Sequence, residues 1–346
     1  MSLRKYDYLI VGQGLAGSIL AHRLKIAGAS VMVLDNDHSA SASMVAAGIL
    51  NPITGHRLNI TEGFDLFYPS AEKYYAELEQ LLGVKLWRTL EQLRLIKNQG
   101  QLDYFNKRQS EDDYKDLIGD LEDAPHFSNA VFGVTRIAKT AVVNVATLLV
   151  ALQKWLIKQE SYESTKVDYA KFEFSSDGVA YGQYTASKLI FCEGFQAINN
   201  PWLQHLPFKL SKGEVLSIHP SEQPKELLNW GSWLLPSSKD RSCRLGSNYA
   251  WNDTSLEPDP IVKDQLLNGL TEATGLTAKL TKHEVGIRPT TKYRKPFIGA
   301  INQMEHALCF NGFGSKGCLL IPYYAELLLD HLIQDTPLPE ELSQYL

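Results

Sequence analysis

Tyr6-Asp7-Tyr8-Leu9-Ile10-Val11-Gly12-Gln13-Gly14-Leu15-Ala16-Gly17 is the stretch that decides how this chain is read. Residues 6–11 form an apolar run rich in β-formers, short enough for a buried strand. A helical pattern follows, with apolar residues at Leu15, Ile19, Leu20, Leu24 and Ala27 and a stop signal at Gly28. Residues 30–34 read as a second buried strand that ends on Asp35. Strand, glycine turn, helix, strand and acid in this order are the grammar of a dinucleotide site. Gly12 turns the strand sharply, Gly14 lets backbone approach a pyrophosphate, and Gly17 lets the helix lie close on the sheet. The helix start at Leu15 and Ala16 offers free N–H groups and partial positive charge to phosphates. Asp35, with Asn36 beside it, is placed to accept hydrogen bonds from ribose hydroxyls. Its carboxylate would repel a 2′-phosphate, which disfavours NADP and leaves NAD and FAD open.

The 346 residues are enough for two cores. A net charge of −5 argues against nucleic acid as an obligatory partner. The longest apolar runs, such as 148–152, are too short to span a membrane. The chain enters its first strand without room for a secretory signal, so a cytoplasmic protein is expected. Cys192, Cys243, Cys309 and Cys318 form no C-x-x-C pair and are expected to be reduced, buried thiols. The nine histidines are scattered, and no metal site is expected.

Further along, residues 44–52 are dense in small side chains, which suits close passage past something flat or bulky. Helices are predicted at 67–82, 101–121, 143–158, 260–274 and 318–332. Strands are predicted at 87–96, 131–137, 167–174, 179–184, 188–192, 209–218, 232–235, 243–247 and 307–310, with a hairpin turn at 175–178. Residues 336–346 read as a tail. An α/β texture therefore alternates with a β-rich one. The expected fold class is α/β: a discontinuous Rossmann-like domain at 1–85, 141–206 and 285–346, with a mixed, mostly antiparallel sheet domain inserted at 86–140 and 207–284.

A second glycine-rich turn, Gly312-Phe313-Gly314-Ser315-Lys316-Gly317, again lies between a strand and a helix. With Gly12, Gly14, Gly17 and Asp35, the Ala46-Ala47-Gly48 loop, Gly194 at a strand end, Lys212-Gly213 read as a β-turn, and Gly286-Ile287-Arg288-Pro289 continuing to Pro296-Phe297-Ile298-Gly299, it produces a family resemblance. The chain resembles the FAD-dependent D-amino-acid oxidase superfamily, nearest its glycine oxidase and sarcosine oxidase branch. The turn at 312–319 and residues 246–249 are also similar to the oxidase domain of the tRNA wobble-uridine modification enzyme.

The resemblance implies FAD as cofactor, held by Gly12, Gly14, Leu15, Ala16, Gly17, Asp35, Asn36, Ser43, Met44, Ala46, Ala47, Gly48, Val167, Gly194, Arg288, Gly312, Phe313, Gly314, Ser315, Lys316 and Gly317. It places Ser43 to Leu50 under the flavin, and Val167 on a strand whose backbone meets the adenine. It implies oxidation of the C–N bond of a small amine or amino acid, with hydride passing to flavin N5 and on to O2 or another acceptor. It makes Arg288 the partner of a substrate carboxylate, which a guanidinium grips through two parallel hydrogen bonds. Lys316 is placed to stabilise charge on the reduced flavin, and Trp233, Tyr249 and Trp251 are candidate walls. His56 and the cysteines are offset from the positions that covalent linkage would need, so FAD is expected to be non-covalent. Two alternatives keep the fold and change the substrate, to a 2-hydroxy acid or a modified tRNA base. Arg288, Lys292, Arg294 and Lys295 are the one local hint of a phosphate partner. A flavin-holding protein without enzymatic activity is less favoured.

Overall fold

The computed structural model describes residues 3–36, 41–124, 127, 132–302 and 304–346. Two large sheets dominate it, with a three-stranded and a two-stranded sheet beside them. In the first, Tyr162–Ser164, Val31–Asp35, Arg4–Val11 and Tyr184–Phe191 lie side by side, and Met304–Asn311 pairs with the far end of Tyr184–Phe191. These five are mutually parallel. Parallel strands are buried on both faces, and the first strand shows it: Tyr8 and Ile10 enter one core while Leu9 and Val11 enter another. Helices Leu15–Ile26, Phe64–Leu82, Val145–Lys158 and Gly317–Gln334 cover the first of these faces.

The second sheet is almost wholly antiparallel. Ser211–Pro220 pairs along one edge with Ala278–Arg288 and along the other with Cys243–Gly246. Beyond that come Trp233–Pro236, Leu227–Asn229, Gln92–Ile96, Gly133–Ile137 and Ile118–Glu122. The one parallel junction joins Leu227–Asn229 to Gln92–Ile96. One face packs Leu93, Leu216, Leu234 and Leu245 against Leu266 and Leu270 of helix Pro260–Thr274. The other face looks toward the first sheet, and the cavity between them is the site described below.

Several sequence expectations change. The run 87–96 is two strands in two sheets: Trp87–Thr89 pairs with Ala141–Val143, whereas Gln92–Ile96 belongs to the large sheet. The corner falls at Leu90, between Thr89 and Glu91, with no glycine or proline to mark it, so the run reads as one strand. The stretch 101–121 is not one helix but helix Gln99–Gln109, a 3-10 turn Asp112–Tyr114 and strand Ile118–Glu122. That strand is polar because it is an edge, with four of its five residues exposed.

No strand begins at Val167. A 3-10 turn Tyr169–Lys171 precedes strand Phe172–Ser175, and the edge strand beside Val31–Asp35 is the shorter Tyr162–Ser164. Lys212 and Gly213 lie within strand Ser211–Pro220, not in a turn. The tail is docked: helix Glu340–Ser343 packs on strand Phe297–Ile301, burying Leu342 and Leu346. All four cysteines are buried and free.

Candidate active site

A cavity of about 920 Å³ lies between the two sheets. At one end is the first glycine turn. Gly12 has a φ of +100°, and a β-carbon there would stand 2.6 Å from the carbonyl oxygen of Cys192. A β-carbon on Gly17 would stand 1.9 Å from the carbonyl oxygen of Gly12, so helix and strand touch there as the sequence suggested, away from the cavity wall. Gly14 is different. Its added β-carbon would meet nothing nearer than Ser43 Oγ at 3.5 Å, and the residue opens onto the cavity with Leu15 and Ala16. Gly14 at the N-cap has no side chain to cap the helix; the Leu15 N–H donates to Ser43 Oγ at 3.2 Å, and the positive end of the helix dipole faces the space. Asp35 and Asn36 line the same end, and Asp35 Oδ1 accepts a hydrogen bond from the Gln13 backbone at 2.8 Å. A side-chain-free cradle, a helix start and a carboxylate fit a dinucleotide with a free ribose diol.

The small-residue loop forms the next wall. Ser41 caps a short helix Ala42–Val45 by accepting from the Met44 backbone. Gly48 has a φ of +74°, and a β-carbon there would lie 1.9 Å from the Val143 carbonyl oxygen. Ser43, Ala46, Ala47 and Gly48 line the cavity, whereas Met44 packs into the core and does not. Arg244, from the large sheet, clamps this loop by donating to the carbonyls of Val45 at 2.6 Å and Ala46 at 2.8 Å. Nothing in the spacing of the sequence singles that arginine out.

Phe313, Gly314, Ser315, Lys316 and Gly317 line the cavity from the second glycine turn. Gly312 stands behind it, where an added β-carbon would be 2.7 Å from Thr291 Cγ2, so its part is to make the turn rather than the wall. Helix Gly317–Gln334 begins without a side-chain cap. Lys316 sits at that start, and burial lowers its pKa from the ordinary lysine value. Val167 and Gly194 line the cavity beside the first glycine turn and Asp35, together with Tyr169 and Glu193, which sequence reasoning missed. Glu193 accepts from Tyr169 Oη at 2.6 Å and Asn200 Nδ2 at 2.7 Å, and burial pushes its pKa up to about 7.

The large sheet supplies the remaining wall, and its register explains which residues face inward. Gly286 lies opposite Gly213, two residues from Val215; Val215 lies opposite Gly246, Gly246 opposite Trp233, and Trp233 opposite Asn229. Residues opposite one another share a face. The glycines clear room for large neighbours: the Trp233 ring lies over Gly246, and the Arg288 guanidinium lies over Gly213. Arg288 donates to Ser247 Oγ at 2.6 Å and to the carbonyls of Asn248 at 3.2 Å and Lys212 at 3.4 Å. Tyr249, half exposed, places its ring 4.2 Å from the guanidinium carbon. Among the described residues no carboxylate pairs with Arg288, and burial lowers its pKa from the ordinary arginine value.

Trp251 does not line the cavity; it is exposed beside Lys209, 4.7 Å from its ring centre. The basic stretch does not form a continuous charged face. Lys295 is paired with Glu62 and Glu341, and Arg288 points inward. His56 is exposed, packs against Tyr104, and lies off the cavity wall. Among the described residues no group of histidine, cysteine, aspartate and glutamate could hold a metal ion, and no helix is long and apolar enough to cross a membrane.

A profile of the FAD dependent oxidoreductase family matches residues 7–331. An uncharacterised oxidoreductase of Bacillus subtilis, YurR, is 25% identical, with 98% of each chain covered. The solved glycine oxidase of Geobacillus kaustophilus superposes with a TM-score of 0.80 at 18% identity, over 98% of both chains. The iminodiacetate oxidase of Chelativorans sp. BNC1 does so with a TM-score of 0.79 at 19% identity, also over 98% of both. At these identities the structures establish a shared fold.

Proposed function

This chain belongs to the FAD-dependent oxidoreductase family, and from that premise we propose that it oxidises the C–N bond of a small amine or amino acid bearing a carboxylate. The observation that carries the reading is Arg288: a cation facing the cavity, aimed by three oxygen acceptors, with no carboxylate partner among the described residues. An uncompensated charge partly withdrawn from water is costly, and a substrate carboxylate removes that cost on binding. Because the guanidinium is a planar fork, it also fixes the orientation of the bound acid.

FAD, when bound, supplies the hydride acceptor. Gly14, Leu15 and Ala16 would hold its pyrophosphate, Asp35 its ribose, and the loop from Ser43 to Gly48 its ring system. Lys316 and the uncapped helix start behind it place positive charge at one end of the cavity, where a reduced ring would gain from it. Trp233 and Tyr249 wall the space beside Arg288. Cofactor attachment is non-covalent in this reading. The two cysteines on the cavity wall, Cys192 and Cys318, are buried thiols with raised pKa values, and thiolates are the nucleophilic form.

We assign cofactor binding to 1–85, 141–206 and 285–346, and substrate binding to 86–140 and 207–284. Strand Ala278–Arg288 runs across the last boundary and so carries Arg288 on the substrate sheet. The test is aerobic peroxide production by the FAD-loaded protein across glycine, N-methylglycine, proline and D-amino acids. Peroxide with one of these amines is the expected result. Turnover confined to 2-hydroxy acids would overturn the C–N assignment while leaving the anchor in place.

A further inference from the structure

We propose that Asn229 forms a second anchor in the cavity, a pair of amide N–H donors for an anionic oxygen group at the end of the substrate remote from Arg288. The inference rests on the Arg288 reading above and extends it to a substrate with two separated acidic groups.

The orientation of the Asn229 amide is fixed from behind. Its Oδ1 accepts from Arg94 Nη1 and from the Gly231 backbone at 3.2 Å. With the oxygen engaged twice, the NH2 group is the end left over, and no partner for it occurs among the described residues. The residue is only 9% exposed, yet it lines the cavity. A donor that faces the cavity without a protein acceptor favours an acceptor that enters the cavity and meets it.

The residue behind sets the sign of the ligand. Arg94 lies directly beside Asn229 in the parallel pair of strands and is 4% exposed. Its partners are neutral, the Asn229 amide and the Gly55 carbonyl at 3.2 Å, and Nε has none among the described residues. No acid pairs with it among the described residues. Burial lowers its pKa to about 10, which leaves it charged at neutral pH. A cation held this way polarises the amide in front of it and favours an anion beyond.

Arg288 and Asn229 share the inner face of one sheet. The guanidinium lies over Gly213, and Asn229 is three strands further across, through Cys243–Gly246 and Trp233–Pro236. At roughly 4.8 Å per strand this is about 14 Å at the level of the backbone. A substrate as short as glycine would not reach both.

The probes are acetate and the straight-chain dicarboxylates from malonate to suberate, titrated into the FAD-loaded protein while the flavin absorbance is followed. A longer diacid should bind about 10- to 150-fold more tightly than acetate, the range of one charge-assisted hydrogen bond. Asn229→Ala should erase that gain and leave acetate binding unchanged. Asn229→Asp guards against misfolding, because it keeps an acceptor for Arg94 while removing the donors, and it should erase the gain as well. Diacids no tighter than acetate in the parent protein, or a gain that survives in both variants, would overturn the second anchor. Acetate binding that survives Arg288→Ala would overturn the first anchor instead.

Discussion

Gly213 lies directly beneath the guanidinium of Arg288: a β-carbon at position 213 would stand 2.1 Å from Nη2 and 2.3 Å from Cζ. Gly213 sits on Ser211–Pro220 and Arg288 on the neighbouring Ala278–Arg288, where Arg288 pairs with Ser211 and its side chain reaches back over the glycine. The proposed anchor therefore depends on the absence of one methyl group.

Gly213→Ala should displace the guanidinium without unfolding the strand, since its backbone needs no left-handed φ. FAD content should stay at the parent level. Turnover of carboxylate substrates should fall by about 10- to 150-fold in kcat/KM, as if a charge-assisted hydrogen bond were lost. Parent-level turnover would mean that Arg288 does not act from the position it holds here.

Gly14→Val tests the cradle. In the structure a β-carbon at 14 makes only an ordinary contact with Ser43 Oγ at 3.5 Å, so the folded chain should tolerate a side chain there. FAD binding should nevertheless be lost, because the valine would occupy the space of the pyrophosphate. Circular dichroism should match the parent while the purified protein is colourless. Stoichiometric FAD in the variant would place the phosphates elsewhere. Gly12→Ala is the contrast: its β-carbon would stand 2.6 Å from a backbone oxygen at a φ of +100°, so folding itself should suffer.

The first glycine turn was legible because function and backbone geometry demand the same residue type at the same spacing. Arg288 stood out between Gly286 and Pro289, but Gly213 could be linked to it only through the strand register, which sequence spacing does not encode. Arg94, Asn229, Arg244 and Glu193 were not legible at all. Each acts through a contact far along the chain, such as Arg94 with Asn229 or Arg244 with Val45. The polar pattern at 118–121 reads as the end of a helix because an exposed edge strand and a solvated helix look alike in polarity.

Glu193 should make stability depend on pH. Its carboxyl is pushed from an ordinary value near 4.5 up to about 7 by burial, outweighing the opposing hydrogen bonds from Tyr169 and Asn200. Between these values the folded state keeps a proton that the unfolded state releases. The folded state then binds more protons, so stability falls as pH rises through this window. The contribution is at most about 3 kcal/mol. Urea midpoints of the parent and Glu193→Gln, measured from pH 4.5 to 8, should diverge in slope, with the parent losing more stability as pH rises. Parallel curves would show that Glu193 is ionised throughout.

Arg288 itself gives the most discriminating test. It is flanked by Gly286 and Pro289, and three oxygen acceptors aim its guanidinium. Those acceptors are neutral, so they fix direction without cancelling charge. Arg288→Ala should keep FAD, because the cradle at Gly14 and Asp35 lies at another wall of the cavity. It should lose about 10- to 150-fold in kcat/KM for amines with a carboxylate, and much less for an amine without one. Arg288→Lys should recover only part, since an ammonium lacks the planar fork and reaches the acid through a single point. Steady-state kinetics on a matched pair, an amino acid and its decarboxylated amine, separates the cases. Equal losses on both would remove the anchoring role, and loss of FAD in the variant would assign the residue to holding the fold around the cofactor.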